Sequence, residues 1–287
     1  MSKYDFDDIV TGVQATIKDK SRKNQFGKGD KLKKVSDNPD DYVVMPEWFE
    51  QSFGALGLPF GQFVQISGKP DSGKTTLTLE AIRNAQEQDH FVIYIETEGK
   101  TSPDRLISAG VDPSKMVTIT STITEQVFDS IFKTLDVIKD KYPDAKILLA
   151  IDSYGNTTSQ RDAAIDFTSQ VGMVGGSAKT NRSGLNALRA RQQEQNIAVL
   201  IVNYSYANIG SVGETNAGGR ALEFFCSLII NAGRKGDLSK QVKGVKMKTG
   251  IKARWKISKN HWIAGKEGDY PTHVTMQIDG NGMKRIE

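Results

Sequence analysis

The chain has 287 residues, a formal net charge of +4, three histidines and a single cysteine. This length is enough for one large or two modest domains with a substantial core, and the apolar and charged fractions are ordinary for a soluble protein. The longest apolar runs are far shorter than the roughly 18 residues of a membrane span, and the N-terminus has no signal-peptide core. Cys226 cannot form an internal disulfide, and the histidines show no metal-ligand spacing with it. Composition therefore excludes a membrane protein and a disulfide framework, and it predicts a cytoplasmic protein.

The first predicted element is an amphipathic helix over residues 4–17. Its apolar side chains recur at the spacing of a helical stripe, and they are Phe6, Ile9, Val10, Val13 and Ile17. Residues 18–34 follow as a linker with eight basic residues and two acids. A helix of this kind has no core of its own, so it must dock either on the rest of its own chain or on another subunit.

A phosphate-binding loop is predicted at Gly68–Thr75, which fits G-x-x-x-x-G-K-[ST]. It lies between an apolar strand pattern, Phe63–Ser67, and a helix pattern, Thr76–Glu87. In such a loop backbone N–H groups surround phosphates, Lys74 reaches the terminal phosphates, and the Thr75 hydroxyl is a ligand of Mg²⁺. A plain glycine-rich turn is the alternative, and the strand-loop-helix context disfavours it.

Two apolar runs downstream end in acids, as expected of buried parallel strands. Ile147–Asp152 brings Asp152 to the carboxyl edge of the sheet, where it is the predicted acid on the metal side. Phe91–Glu96 supplies Glu96 at its end and Glu98 just beyond it, and either acid could orient the attacking water. Alternation puts Glu96 and Glu98 on the same face, so spacing alone leaves the choice between them open.

Beyond residue 52 the chain alternates strand and helix patterns. The predicted strands are Phe63–Ser67, Phe91–Glu96, Ile147–Asp152 and Ala198–Asn203, and the predicted helices are Thr76–Glu87, Thr124–Lys141 and Gly184–Gln195. This alternation predicts an α/β fold with a mostly parallel central sheet covered by helices on both faces. Two later segments, Ala253–Ser258 and Val274–Asp279, are predicted to form further strands that extend the sheet in an antiparallel arrangement.

Several of these segments, in order from about residue 50 to about residue 280, resemble the RecA-type homologous recombinases, and most of all the shorter bacteriophage members of the UvsX type. The segments that carry the resemblance are Gly57–Gly61, Gln65–Gly68, Gly73–Leu79, Tyr94–Glu98, Ala109–Asp112 and Ile151–Asn156. The resemblance implies a RecA-like P-loop ATPase core that uses ATP and Mg²⁺. It also selects Glu98 over Glu96 as the catalytic acid, because the last acid of Tyr94–Glu98 matches the family's catalytic glutamate.

The resemblance implies a set of site residues. Catalysis would fall to Glu98 and Lys74, metal binding to Thr75 and Asp152, and nucleotide binding to Gly68, Asp71, Ser72, Gly73, Lys74, Thr75, Thr76, Arg105, Tyr204 and Lys259. Three of these depart from the bacterial pattern. Arg105 stands where an aromatic residue stacks on adenine, Tyr204 stands where a glutamine senses the terminal phosphate, and Lys259 is followed by His261 where two lysines cap ATP across the subunit interface.

Two loops rich in Gly, Ser, Thr and Asn match the family's DNA-binding loops, at residues 157–183 and 205–219. The predicted DNA-binding residues are Gly175, Gly176, Lys179, Asn208, Gly218, Gly219 and Arg220. Residues 234–266 carry eleven Lys or Arg and one acid, a density useful against phosphate. Trp255 and Trp262 lie within this stretch and could stack on bases, whereas a solvated flexible hairpin is the alternative reading.

The resemblance implies an ATP-dependent DNA recombinase that forms helical filaments on single-stranded DNA and exchanges strands with a homologous duplex. Residues 1–45 would form an N-terminal oligomerisation helix and linker that docks on the adjacent protomer, and residues 46–287 would form the core without a separate C-terminal domain. The helix around Ala221–Phe225 would lie against the neighbouring subunit. The expected partners are single-stranded and duplex DNA, further copies of the chain, and single-strand-binding and loader proteins, in the host cytoplasm if a phage encodes it. A hexameric RecA-fold helicase and a non-catalytic ATP-binding mediator are the alternatives.

Overall fold

The structure is a computed structural model that describes residues 6–16, 36–164, 176–207, 214–216, 221–264, 266–280 and 282–287. The chain divides into two compact units, Met1–Ser36 and Asp37–Glu287. In the smaller unit a helix, α1, spans Phe6–Thr16, and its apolar side chains Ile9 and Val13 are exposed. The division predicted after residue 45 stays a prediction, while Tyr42 and Val43 are buried within the larger unit.

The larger unit contains the remaining elements. Its helices are α2 (Glu47–Phe53), α3 (Lys74–Glu87), α4 (Pro103–Ser108), α5 (Thr124–Lys141), α6 (Gln160–Ala163), α7 (Gly176–Glu194) and α8 (Ala221–Phe225). Its strands are β1 (Tyr42–Val44), β2 (Gly57–Pro59), β3 (Phe63–Gly68), β4 (Phe91–Glu96), β5 (Val117–Ile119), β6 (Ile147–Asp152), β7 (Ile197–Asn203), β8 (Ser205–Ala207), β9 (Glu214–Asn216), β10 (Cys226–Val242), β11 (Val245–Asn260), β12 (His273–Asp279) and β13 (Gly282–Arg285). Among the helices of the described ranges, none has the length and apolar character needed to cross a membrane.

A nine-stranded sheet forms the centre of the larger unit, in the order β13-β12-β11-β10-β3-β7-β6-β4-β5. The six strands from β10 to β5 run parallel, and β11, β12 and β13 add an antiparallel extension. The predicted α/β class and mostly parallel sheet are confirmed. Because β3, β4 and β6 are parallel, their carboxyl ends lie at one edge of the sheet, where ligands bind in open α/β folds.

Alternation along the buried strands assigns side chains to the two faces of the sheet. Ile147, Leu149 and Ile151 of β6 join a hydrophobic cluster with α5 and α7. The intervening residues, ending with Asp152, therefore face the other side, where α3 contacts β4, β6 and β7. Since α3 begins at the predicted phosphate loop, this parity directs the Asp152 carboxylate toward that loop.

The predicted first DNA loop is wrong at its C-terminal end, because α7 already begins at Gly176. Asn181, Leu185 and Leu188 are buried at helical spacing. A Cβ on Gly184 would lie 2.3 Å from the Phe128 ring, so the glycine lets α7 approach α5 closely. The polar, glycine-rich composition suggested a loop, and packing against α5 makes it a helix instead.

The basic stretch at residues 234–266 contains most of a long antiparallel hairpin, β10–β11, that turns at Lys243-Gly244. Trp255 is fully buried and Trp262 is only 8% exposed, so the expectation that these rings stack on DNA bases is wrong. Alternation explains the error, because β11 turns its tryptophan inward and its neighbouring basic residues outward. The buried strand pattern at the start of β10 was not predicted.

Replacing Gly68 by alanine is expected to lower the free energy of unfolding by about 2–5 kcal/mol. Gly68 has a φ of +146°, and a Cβ there would lie 2.0 Å from the carbonyl oxygen of Ala232 on β10. Urea unfolding measures the change. Gly236→Ala is the matched control, because nothing lies within 4 Å of its Cβ position and its effect should stay within about 0.5 kcal/mol. Equal effects at both glycines would contradict the close approach.

Candidate nucleotide-binding site

The phosphate loop follows β3 and ends at the first turn of α3. Three of its residues have positive φ, namely Gly68 at +146°, Asp71 at +57° and Gly73 at +91°. Conformations of this kind turn successive backbone N–H groups toward a common concave side, and the N-terminus of a helix adds a favourable dipole for anions. The predicted loop at Gly68–Thr75 therefore has the backbone geometry of a phosphate site.

The antiparallel strands β11 and β12 pack against this loop. The Trp255 indole nitrogen donates a hydrogen bond to the Ser72 carbonyl oxygen at 3.0 Å. A Cβ on Gly73 would lie 2.2 Å from Cδ1 of Ile278, so β12 is packed directly against the loop. The contacts of Trp255 and Ile278 with the loop were not predicted from the sequence, because 183 residues separate Trp255 from Ser72 and 205 separate Ile278 from Gly73 (278 − 73), so only the fold brings them together.

Lys74 is 7% exposed, and its ammonium donates a hydrogen bond to the Lys69 carbonyl oxygen at 2.7 Å. Burial lowers the pKa of Lys74, while the nearby carboxylates of Asp152 and Glu98 act in the opposite direction. The same ammonium lies 5.4 Å from the centre of the Tyr204 ring. Three other predicted site residues, Asp152, Glu98 and Tyr204, thus lie close to Lys74.

Asp152 lies at the end of β6 and is 4% exposed. Burial raises its pKa to about 6, and a hydrogen bond with the Thr75 hydroxyl together with the charge of Lys74 offsets part of that effect. A hydroxyl and a carboxylate are hard oxygen ligands of the kind that Mg²⁺ prefers. In the described part of the chain no cluster of three or more His, Cys, Asp and Glu side chains could hold a metal by itself. The pair of Thr75 and Asp152 fits an ion whose other ligands come from phosphate and water.

The two acids at the end of β4, Glu96 within the strand and Glu98 beyond it, have different surroundings. The Glu96 carboxylate is buried and accepts backbone N–H groups from residues 98, 99 and 100 at 2.8–3.3 Å, so it holds the turn that follows the strand. Glu98 reaches the vicinity of Lys74, accepts a hydrogen bond from the Tyr204 hydroxyl and pairs with the Lys100 ammonium at 2.8 Å. The geometry thus gives Glu96 a structural role and leaves Glu98 as the acid beside the phosphate loop.

The loop opens into a cavity of about 190 Å³. Residues 71–76 line it, as do Arg105 of α4 and two residues of β11, Lys248 and Ile251. Arg105, which was predicted to lie at the nucleotide site, is in the wall of this cavity. Lys248 and Ile251 had no signal in the sequence, since only the hairpin brings them there.

The remaining predicted residues lie elsewhere. Lys259 is not among the residues that line the cavity, and its ammonium donates to the Glu223 carbonyl oxygen of α8 at 2.8 Å. Gly176 and the exposed Lys179 lie in the first turns of α7. The other predicted DNA-binding residues lie outside the described residues, and they are Gly175, Asn208, Gly218, Gly219 and Arg220.

Comparison with known proteins points to one family. The family described as the RecA N-terminal domain matches residues 13–267. Protein RecA of Acholeplasma laidlawii (strain PG-8A) is 30% identical over 248 residues, which cover 84% of this chain and 71% of that protein. Protein RecA of Leifsonia xyli subsp. xyli is 30% identical over 243 residues, with 82% and 64% covered. Protein RecA of Malacoplasma penetrans is 29% identical over 214 residues, with 74% and 61% covered.

The chain spans about three fifths of the last relative's length and 71% of the first one's. The particular likeness to phage members of the UvsX type stays a prediction. Two kinds of observation agree. The comparisons give the family match over residues 13–267 and the identity to these relatives, and the structure gives a mostly parallel sheet with the phosphate loop at its carboxyl edge. The chain belongs to the RecA family.

Proposed function

We propose that this protein is an ATP-dependent DNA recombinase that assembles on single-stranded DNA and pairs that strand with a homologous duplex. The observation that carries the proposal is the hydrogen bond between Tyr204 and Glu98. Glu98 lies beside the phosphate loop, and Tyr204 directly precedes β8, the start of the predicted second DNA loop. A single contact thus joins the nucleotide site to a segment suited to holding DNA, which is what a DNA-stimulated ATPase requires.

Each site residue has a distinct proposed role in ATP hydrolysis. Lys74 and the loop amides would hold the phosphates, and Glu98 would orient the water that attacks the terminal phosphate. Thr75 and Asp152 would hold Mg²⁺, which when bound neutralises charge on the phosphate oxygens. To orient the water, the Glu98 carboxylate would exchange its present contact with Tyr204 for a hydrogen bond from that water.

Assembly into a filament has support at two surfaces. Ile9 and Val13 of α1 are exposed apolar side chains on a helix that needs a docking surface. Phe224 of α8 is 78% exposed, and Lys259 lies next to this helix. We propose that these surfaces meet neighbouring protomers, where Lys259 would cap the ATP of the adjacent subunit.

Contacts to DNA would fall mainly on phosphate, because base pairing itself supplies the recognition of sequence. The distal part of the β10–β11 hairpin exposes Lys240, Lys243 and Lys246, and α7 exposes Lys179. Binding through such residues releases counterions, so affinity should fall steeply as salt concentration rises.

Electron microscopy of the protein with an ATP analogue and single-stranded DNA tests the proposal. Helical filaments that require both ligands would support it. Closed rings would indicate a hexameric motor instead, and protein that binds nucleotide but stays monomeric with DNA would refute the proposal.

Replacing Tyr204 by phenylalanine is expected to raise ATP hydrolysis in the absence of DNA by about tenfold or more, because one hydrogen bond to a charged group would no longer restrain Glu98. The ratio of DNA-stimulated to basal hydrolysis should fall accordingly. The ring over Lys74 is retained in this variant, so ATP affinity should change little. A steady-state phosphate-release assay with and without single-stranded DNA makes the measurement, and an unchanged ratio would show that Tyr204 does not couple the two sites.

A further inference from the structure

A second, larger cavity of about 550 Å³ adjoins the cavity of the phosphate loop. The two share Thr76 and Arg105 in their walls. The larger cavity lies between α3, the end of α4 and the turn from β12 to β13, and its volume is in the range of small-molecule sites. Among the described residues that line it no side chain is aromatic. A triphosphate on the loop would therefore have room beside it for its nucleoside, in a pocket that recognises by polar groups.

Glu80 is the buried acid of this pocket. It lies on α3 one turn beyond Thr76 and is 7% exposed. Its Oε2 atom has no hydrogen-bond partner among the described residues. Its Oε1 atom lies 3.6 Å from an Arg83 guanidinium nitrogen, which is too long for a good hydrogen bond. A buried polar atom without a partner is costly, and Glu80 lines the cavity, so a turn of its carboxyl group toward the cavity would let a ligand supply the missing hydrogen bond.

The protonation of Glu80 decides which ligand edge it fits. Burial raises the pKa of Glu80 to about 7, and the charge of Arg83 lowers it. A neutral carboxyl offers one O–H donor beside one acceptor, whereas a carboxylate offers acceptors only. Adenine presents an N6 amino donor beside a ring-nitrogen acceptor, and guanine presents its N1–H and N2 amino donors side by side. The neutral acid therefore complements adenine, and the ionised acid complements guanine.

We propose that Glu80 reads the base of the bound nucleotide, its neutral carboxyl forming two hydrogen bonds with adenine and its carboxylate favouring guanine. This inference rests on the proposed function, since the nucleotide must have its phosphates on the loop for its base to enter the pocket. Selection by an acid on α3 would operate alongside whatever contact Arg105 makes with the base.

The charged groups that face the pocket set the direction of the pH effect. Arg83 comes from the same helix, Arg105 from α4 and Asp279 from β12, where Asp279 accepts a hydrogen bond from Gln277 at 2.8 Å. The folded acid keeps its proton to a higher pH than the unfolded one, so the neutral form is present below about pH 7 and is lost above it. The preference for adenine should be constant at low pH and should then fall up to about tenfold for each further pH unit.

The test is the ratio of the dissociation constants for MgATP and MgGTP, measured by calorimetry on the full chain at about pH 6, pH 7 and pH 8.5. Both nucleotides carry the same triphosphate, so the titration of the phosphate cancels in the ratio. We expect the preference for ATP to fall by about tenfold or more from the lowest to the highest pH. A preference that does not vary with pH overturns the proposal, and this measurement needs no substitution.

Two variants test whether Glu80 is the group that causes the pH dependence. Glu80→Gln should have a pH-independent preference close to that of the wild type at low pH, because an amide has a donor and an acceptor at every pH. Arg83→Gln should move the midpoint of the change to higher pH, because it removes the positive charge that lowers the pKa of Glu80. A wild-type pH dependence that persists in Glu80→Gln would assign the effect to another group and overturn the proposal.

Lys74→Ala separates this inference from the proposed function. If ATP binds equally well without Lys74, the phosphate loop is not the nucleotide site and the proposed function fails. If ATP binding requires Lys74 while the preference for ATP over GTP is the same at every pH, the nucleotide site stands and only the role of Glu80 is refuted.

Discussion

Replacing Glu98 by glutamine is expected to lower DNA-stimulated ATP hydrolysis by about 10²–10⁴-fold. The amide cannot accept the proton of the attacking water, while the phosphate loop and the Thr75–Asp152 pair stay intact. ATP should therefore bind with nearly unchanged affinity, and the protein should remain on single-stranded DNA for longer because hydrolysis no longer releases it. A phosphate-release assay together with a DNA dissociation measurement tests both parts.

Glu96→Gln is the matched control for this variant, because it makes the same change two residues away. Glu96 accepts three backbone N–H groups of the following turn, so its substitution should lower the thermal stability of the chain more than it changes the hydrolysis rate per folded molecule. Unchanged hydrolysis in Glu98→Gln, or an equal loss in both variants without a loss of stability in Glu96→Gln, would count against Glu98 as the catalytic acid.

Replacing Lys74 by alanine is expected to lower ATP hydrolysis by about 10²–10³-fold and to weaken ATP binding. The Lys74 ammonium lies among Asp152, Glu98 and the loop, where a cation offsets the charge that develops on the transferred phosphoryl group. Filaments on single-stranded DNA that depend on ATP should be lost as well. Steady-state hydrolysis and nucleotide binding by calorimetry measure the two effects.

Lys69→Ala tests whether position rather than charge explains this result. It removes one positive charge from the same loop but leaves the main-chain carbonyl that accepts the Lys74 hydrogen bond. Its hydrolysis rate should stay within about tenfold of the wild type, since its side chain is exposed. Comparable losses in both variants would indicate that the overall potential of the loop matters more than the placement of Lys74.

Local patterns predicted much of the fold. Ile147–Asp152 is a run of apolar residues that ends in an acid, and both its strand and the delivery of Asp152 to the sheet edge follow from burial on two faces. The same reasoning could not separate Glu96 from Glu98, since both have the same parity. The choice depends on which carboxylate the turn after β4 uses for its own backbone hydrogen bonds.

Two predictions that rested on composition were wrong. The Gly, Ser, Thr and Asn content of residues 157–183 suggested a loop, whereas residues 176–183 belong to α7, which packs closely on α5 where Gly184 meets Phe128. The Lys and Arg content around Trp255 suggested an exposed aromatic, and the ring is buried beneath the phosphate loop with its nitrogen bonded to Ser72. Composition averages over both faces of an element, whereas burial differs between them.

Short stretches of sequence were enough to identify the phosphate loop, the alternation of strands and helices and the family, because neighbouring residues along the chain encode each of them. The fold was needed to show which acid lies near Lys74, which residues contact Ser72 and Gly73, and that Glu80 lies in the wall of a cavity beside the loop. These contacts join residues far apart in the chain, and their geometry is set by the packing of β11, β12 and α3, which no local pattern specifies.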